Sequence, residues 1–313
     1  MSAVPRSESE TLRGGPAARR ARPRAASAPG RLLWRRLTAN VGAIIGLVLL
    51  AAILLIALLA PLLTPYSPYA ITVQQQFRPP SSQHLMGTDD LGRDVGSRVI
   101  AGTRISLMVA SLVLLLAGGI GVVLGIVSGY RGGVVDEAIM RASDIFLAFP
   151  SFLLAMAIVA ALGPGLTNAV LAIGLAWWPR YARLMRGQVL RLRQVLYAES
   201  ARALGAGDAR ILVRHILPNC LAPLIVQLTM DAGGAILITA SLSFVGLGAR
   251  PPMPEWGFMT ALGRQFLLTA WWVPIFPGLA ISLTVAAFMF MGDALRDLMD
   301  PALRNVGGGW SAA

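Results

Sequence analysis

Asp231 is difficult to explain as ordinary packing, because it is a lone charged residue inside the apolar stretch 221–247. A carboxylate at membrane depth is costly and marks either a transport pathway or a polar partner within the protein. It could contact a charged group of a transported molecule. It could equally make a structural hydrogen bond beside Gly233 and Gly234, where helices can approach closely. The sequence leaves both interpretations open.

A second ionisable group precedes the second apolar stretch. It comprises four residues spaced for i+3 and i+4 pairing on a short helix, with His84 just before them: Asp89, Asp90, Arg93 and Asp94. These side chains could in principle ligate a metal, but the neighbouring arginine opposes a cation. We therefore expect charge pairing that sets the entry angle of the following span.

The polar segment 197–219 contains a second misplaced carboxylate. Helical periodicity runs over 179–204, and Glu199 projects onto the apolar face of that helix. Glu199 also lies in the last turn before Gly205, where the helix dipole disfavours an anion. A residue that breaks two local rules at once is a candidate functional residue.

The same segment is predicted to fold as two helices joined at a glycine. Gly205 can end the first helix in the left-handed conformation. Asp208 can N-cap a second helix over 209–217, which Pro218 would stop. Such a hairpin could lie on the membrane surface, or it could be a docking surface for a cytosolic partner.

Composition places these residues in a membrane protein. The 313 residues are 56% hydrophobic and 13% charged, with a mean hydropathy of +0.66, which is too apolar for an ordinary soluble domain. The net charge of +12 comes from arginine alone, and arginines flanking membrane spans explain it better than nucleic-acid binding does. The single cysteine, Cys220, excludes an intrachain disulfide and is expected to be a small packing residue.

Six charge-poor stretches are predicted to cross the membrane: 41–63, 105–130, two within 145–179 separated by LGPGLTN, 221–247 and 271–292. With both termini inside, most of the 27 arginines lie on the cytoplasmic side, as the positive-inside rule requires. The predicted organisation is then a disordered basic cytoplasmic tail, a six-span domain and a C-terminal tail, over residues 1–32, 33–306 and 307–313.

The segment ESARALGAGDARILVRHILPN resembles the EAA loop of ABC importer permeases. That pattern is Glu-Ala-Ala, three residues, Gly, nine residues, Ile, any residue, Leu-Pro. Ser200 replaces the middle alanine, and His215 occupies the isoleucine position, as is typical of the peptide-importer branch. The residues that match in register are Glu199, Ala201, Gly205, Leu217 and Pro218.

Three further blocks resemble dipeptide and oligopeptide permease C subunits. They are HLMGTDDLGRDVGSRVIAGTRISL, LSFVGLGARPPMPEWG and GDALRDLMDPALR, which begin at positions 84, 242 and 292. Four blocks in the same order make the resemblance specific. From about residue 33 onwards, the chain is identified as a member of this group of ABC importer permeases.

The resemblance implies an all-α membrane protein with six transmembrane helices, a cytoplasmic coupling hairpin at 197–219 and a type I ABC importer permease architecture. It implies a multi-pass subunit of the bacterial inner membrane that moves di- or oligopeptides by alternating access. Expected partners are a second homologous permease, two cytosolic ATP-binding domains that use ATP and Mg, and an extracytoplasmic substrate-binding protein. The sequence has no GxxxxGK[ST] loop, so ATP hydrolysis is expected in separate subunits and no cofactor in this chain.

The resemblance also assigns residues to roles. Coupling to the ATPase is expected from Glu199, Ser200, Ala201, Gly205, Asp208, Ile211, His215, Leu217 and Pro218. From the residues themselves, the proline-rich stretch ARPPMPEWGFM is expected to be an exposed stiff loop that contacts an outer partner or forms a gate, through Pro254, Glu255 and Trp256. Trp271 and Trp272 are expected at headgroup depth.

Other functions remain open at this point. Nickel and glutathione importers share the same blocks, so the cargo is not fixed. A secondary transporter driven by an ion gradient, with Asp231 as the ion or proton site, would leave the docking hairpin unexplained. A structural membrane subunit of a larger enzyme complex is disfavoured, because the sequence has no haem- or quinone-like residue clusters.

Overall fold

A computed structural model describes residues 40–196, 200 and 203–299, and this part of the chain is helical without a β-strand. The predicted all-α fold is confirmed. The terminal tails predicted at 1–32 and 307–313 lie outside the described residues. The helices are α1 (Val41–Leu63), α2 (Val95–Arg131), α3 (Gly133–Leu147), α4 (Ser151–Leu162), α5 (Leu166–Leu192), α6 (Asp208–Ile211), α7 (Leu217–Phe244), α8 (Trp256–Gly263) and α9 (Trp272–Met299).

Within the described residues, four helical runs are long and apolar enough to cross a membrane: α1, α2, α9 and the run from α6 through α7. The bent pair of α3 and α4 is a fifth if the two helices together form one span. Helix α5 has 27 residues and is therefore about 40 Å long, but four arginines lie in its second half. The predicted six crossings are complete only if α5 also crosses.

The third predicted crossing, within 145–179, begins later than expected, whereas the fourth extends past Pro179, as its short charge-free stretch suggests. Helices α3 and α4 meet at 88° just before Pro150, because the residue preceding a proline avoids the helical conformation. Helix α4 therefore begins only at Ser151. Helix α5, in contrast, continues through Pro179 and ends at Leu192, so the helix predicted over 179–204 is not one continuous helix.

A row of glycines brings α2 and α5 into close contact. Gly121, Gly125 and Gly129 recur every fourth residue on α2 and are buried against α5. A Cβ atom on Gly125 would lie 2.8 Å from the Cβ of Met185, and one on Gly129 would lie 2.9 Å from that of Val189. Only glycine permits this approach, which fixes α5 and its polar side chains relative to α2.

The short helix predicted around residues 89–94 is absent, although the charge pairing is present. The segment is a turn closed by a bridge between Thr88 and Asp94. The carboxylate of Asp89 accepts hydrogen bonds from the Leu91 and Arg93 backbone N–H groups, each at 2.9 Å, and this favours the turn over a helix. Arg93 Nε donates to the same carboxylate at 2.7 Å.

Asp94 starts the second span directly. Its Oδ2 accepts from the backbone N–H of Ser97 at 2.6 Å, which caps α2, and its Oδ1 lies 2.9 Å from Nδ1 of the buried His84. The predicted charge pairing ahead of the second span is thus present, and its role in setting the entry angle of that span stays a prediction.

Candidate functional site

The predicted coupling segment is described only in part, since Glu199 and Ala201 lie outside the described residues. Gly205 has φ of +81°, as predicted for a left-handed position. A Cβ there would meet no atom within 4 Å, so the backbone angle alone makes the position a glycine site. Ser200, Asp208 and Pro218 are exposed.

Asp208 does not N-cap the second helix as predicted. It is the first residue of α6, while Gly207 occupies the N-cap position, and the Asp208 carboxylate is instead directed to another helix. The Tyr130 hydroxyl, near the end of α2, donates a hydrogen bond to Asp208 Oδ1 at 2.5 Å. The coupling segment is therefore tied to the same helix that carries the glycine row.

Pro218 does not stop the helix, contrary to the prediction. A π-helical turn, Leu212–Ile216, joins α6 to α7, and the Leu217 N–H donates to the Leu212 carbonyl five residues earlier. Pro218 is the second residue of α7 and directly follows this wider turn, and the helix continues through it. The chain is therefore helical without interruption from the coupling segment into a membrane span.

The remaining coupling residues differ in burial. Ile211 is fully buried in the helical core, with Ile216 and Cys220 nearby along the run, so the packing role predicted for Cys220 is confirmed. Ile211 can act on a partner only by fixing the position of its helix. His215 and Leu217 are half-buried. The exposed edge thus consists of the Gly205 turn, the start of α6 and the polar face of the π-helical turn.

Asp231 lies inside α7 and is held by neutral groups. The Tyr181 hydroxyl of α5 donates to Asp231 Oδ2 at 2.8 Å, and Gln227 Nε2 donates to the same oxygen at 3.0 Å. The structural hydrogen bond considered for Asp231 therefore exists. The carboxylate is nevertheless only half-buried, so contact with a passing molecule also stays possible.

Arg180 is a polar residue of the span region whose importance the sequence did not indicate, because it is the first residue after the charge-free stretch 145–179. With α5 continuing to Leu192, Arg180 is near the middle of that helix. Its guanidinium carbon lies 4.9 Å from the centre of the Trp177 ring, and its Nη2 donates to Ser151 Oγ at 3.1 Å.

The prediction that three residues lie on an exposed outer loop is wrong. Pro254, Glu255 and Trp256 are buried. Glu255 N-caps α8 by accepting from the N–H groups of Gly257 and Phe258 at 2.9 and 2.8 Å. Trp256 Nε1 donates to the Val99 carbonyl at 2.9 Å, because buried polar groups require partners. A gate role for these residues stays a prediction, but contact with an outer partner would require them to be uncovered.

The two tryptophans expected at headgroup depth differ in their exposure. Trp272 is buried and donates from Nε1 to the Thr88 carbonyl at 3.0 Å, so the expectation of an anchoring role is wrong for it. Trp271 is 50% exposed, which fits the predicted anchoring role.

Glu255→Gln is expected to flatten the dependence of unfolding temperature on pH. Burial raises the pKa of Glu255, and the two backbone hydrogen bonds only partly oppose this. The folded chain therefore binds this proton more tightly than the unfolded chain, so stability falls as pH rises from the ordinary glutamate pKa, about 4.3, to the raised folded value. Thermal unfolding in detergent between those limits measures the effect.

The exposed Glu137→Gln is the matched control for that series, since its side chain is 68% accessible. It should keep the wild-type pH dependence. An identical slope in wild type and Glu255→Gln would contradict the account of Glu255.

Two known families match the chain. The family described as "Binding-protein-dependent transport system inner membrane component" matches residues 121–305. The family described as "N-terminal TM domain of oligopeptide transport permease C" matches residues 28–80. Together they match both ends of the six-span region proposed from the sequence and leave residues 81–120 between them unmatched.

Curated relatives align with most of the chain. The dipeptide transport system permease protein DppC of Alkalihalophilus pseudofirmus is 45% identical, over 90% of this chain and 92% of the relative. The probable D,D-dipeptide transport system permease protein DdpC of Escherichia coli is 47% identical, over 81% and 85%. The glutathione transport system permease protein GsiD of Pectobacterium atrosepticum is 46% identical, over 88% and 92%.

A solved structure is similar in fold. It is described as inward facing conformations of the MetNI methionine ABC transporter, and one of its chains aligns with a TM-score of 0.52 at 19% sequence identity. The alignment covers 65% of this chain and 97% of that chain. At this identity the likeness concerns the helical arrangement alone.

Proposed function

Because the chain belongs to the family of binding-protein-dependent transport system inner membrane components, it is a multi-pass permease subunit of an ATP-driven importer, and we propose that it passes short peptides into the cell. The observation that carries the peptide cargo is the alignment of nearly the whole chain with a dipeptide transport permease. The predicted type I importer-permease architecture is confirmed by the helical arrangement.

The proposed assembly contains chains other than this one. A second homologous permease would complete the path, two cytosolic domains would bind ATP with Mg, and an extracytoplasmic protein would deliver the peptide. Both termini of this chain would lie in the cytoplasm, since that orientation places most arginines inside. This chain would then supply no hydrolytic group of its own.

Coupling would act through the segment 197–219. Motion of an ATPase domain against this segment would be passed on as rigid-body movement, because α6, the π-helical turn and α7 are continuous up to Asp231. The bond between Tyr130 and Asp208 would carry the same movement into α2. The residues proposed for this surface are Glu199, Ser200, Ala201, Gly205, Asp208, Ile211, His215, Leu217 and Pro218.

Glutathione is a second candidate cargo, favoured by the similarity to the glutathione permease of Pectobacterium. Uptake of labelled dialanine and labelled glutathione into proteoliposomes that hold the whole assembly separates the two. We expect dialanine to be taken up, with unlabelled dipeptide competing better than unlabelled glutathione. Uptake of glutathione without uptake of dialanine would make glutathione the cargo. The assignment of the chain to an ATP-driven importer would stand.

A further inference from the structure

Two opposite charges lie close to the hydrogen bond that joins α5 to α7, between Tyr181 and Asp231. Asp231 is near the middle of α7, and Arg180 is near the middle of α5. Neither side chain forms an ion pair within the part of the chain that the structure describes: Asp231 accepts from Tyr181 and Gln227, while Arg180 donates to Ser151. Both charges are thus held in place by neutral groups.

The two charges flank one pair of aromatic side chains. Trp177 and Tyr181 are one turn apart on α5, and both are buried. The Trp177 ring contacts α7 at Gly234, where an added Cβ would lie 3.2 Å from its Cη2, and the Tyr181 hydroxyl contacts Asp231. The Arg180 guanidinium lies over the other end of this pair, against the Trp177 ring.

Exposure indicates what lies beside these charges. Arg180 is exposed and Asp231 is half-buried, although each is far from the ends of its helix. Charged groups within a bundle of membrane helices are costly against lipid and normally face a water-filled cavity or the interior of the bundle. An exposed arginine and a half-buried carboxylate on two contacting helices are therefore suited to lining a polar pathway.

We propose that Asp231 and Arg180 form a binding site for the two charged ends of a short peptide in transit, with Asp231 receiving the terminal ammonium and Arg180 the terminal carboxylate. This inference rests on the proposed import of peptides. A guanidinium suits a carboxylate because its parallel N–H groups can bond both oxygens, and neutral neighbours leave each charge available. The site would favour peptides whose two termini are free.

Three labelled peptides test the site in the complete assembly, with ATP on the side of the ATPase subunits and the binding protein on the other. They are dialanine, N-acetyl-dialanine and dialanine amide. Asp231→Asn should lower initial uptake about tenfold for the two peptides with a free amine and leave N-acetyl-dialanine unchanged. Arg180→Gln should lower uptake about tenfold for the two with a free carboxylate and leave dialanine amide unchanged.

Each rate is divided by the wild-type rate for the same peptide, so the preference of the binding protein cancels. Glu137→Gln and Arg141→Gln remove the partners of an exposed ion pair on α3 and should change none of the three ratios. An equal fall for all three peptides would assign Asp231 and Arg180 a structural role and overturn the proposal. Unchanged ratios in both variants would overturn it as well.

Two further results would have other meanings. Absence of dialanine uptake by wild type would refute the proposed import and not the site alone. If wild type does not take up the blocked peptides, protection of a thiol from labelling tests the site instead. The variant Gln227→Cys, combined with Cys220→Ala, places one thiol beside Asp231. In nanodiscs without the binding protein, dialanine should slow its labelling and N-acetyl-dialanine amide should not. Equal protection by both peptides, or protection by neither, would overturn the site.

Discussion

Replacing Gly205 by proline is expected to leave the chain inserted in the membrane while uptake no longer follows ATP hydrolysis. Gly205 has φ of +81°, whereas the proline ring holds φ near −65°. The turn that begins the described coupling surface would have to follow another path. Holding a residue in a strained backbone conformation costs about 1–3 kcal/mol. We therefore expect the uptake per ATP hydrolysed to fall roughly 10- to 100-fold.

Gly207→Pro is the matched control for that variant. Gly207 has φ of −66°, which proline can adopt, and it precedes α6 as its N-cap residue. The ratio of uptake to hydrolysis in proteoliposomes should therefore stay close to wild type in this control and collapse in Gly205→Pro. Glu199→Ala is expected to act in the same direction as Gly205→Pro. Wild-type uptake in Gly205→Pro would refute the assignment of this segment to coupling.

Gly121→Val is expected to destabilise the protein more than any other change proposed here, because the contact leaves no space for a side chain. A Cβ at Gly121 would lie 2.5 Å from both the Trp178 carbonyl oxygen and the Tyr181 Cβ, and 2.9 Å from the Ala182 nitrogen. Backbone atoms cannot move aside as flexible side chains do. Overpacking of this kind costs about 3 kcal/mol and would separate α2 from α5.

The comparison for that variant is Gly119→Val on the same helix. Gly119 is exposed, and a Cβ there meets no atom within 4 Å, so this change shares the altered helix propensity without the clash. Thermal unfolding in detergent should show a large fall in midpoint for Gly121→Val and a small one for Gly119→Val. Equal midpoints would mean that the α2–α5 contact is looser than described.

Local sequence signals predicted several features of the site. Gly205 was expected in the left-handed conformation because it follows a helical pattern, and its φ confirms this. Asp231 was identified as a lone charge in an apolar stretch, and it accepts hydrogen bonds from Tyr181 and Gln227, as expected if it has polar partners within the protein. These features depend on residues nearby in the sequence, so they can be predicted from the sequence alone.

Other features depend on partners far away in the chain. Trp256 was expected on a surface, yet its ring donates to the Val99 carbonyl at a distance of 157 residues in sequence. Pro218 was expected to end a helix, but a π-helical turn precedes it and the helix continues into α7. The glycines at 121, 125 and 129 did carry a signal, since small residues every fourth position favour close helix contact. Their spacing was overlooked.

We infer that this chain moves its cargo by coupling to ATP hydrolysis in partner subunits. The measurement that tests it most directly is peptide uptake into proteoliposomes that hold this chain with its partner subunits, with ATP and a proton gradient supplied separately. We predict uptake that requires ATP on the ATPase side and the binding protein on the other side. Uptake driven by the gradient alone, and lost in Asp231→Asn, would contradict the claim and make Asp231 the working residue of a secondary transporter.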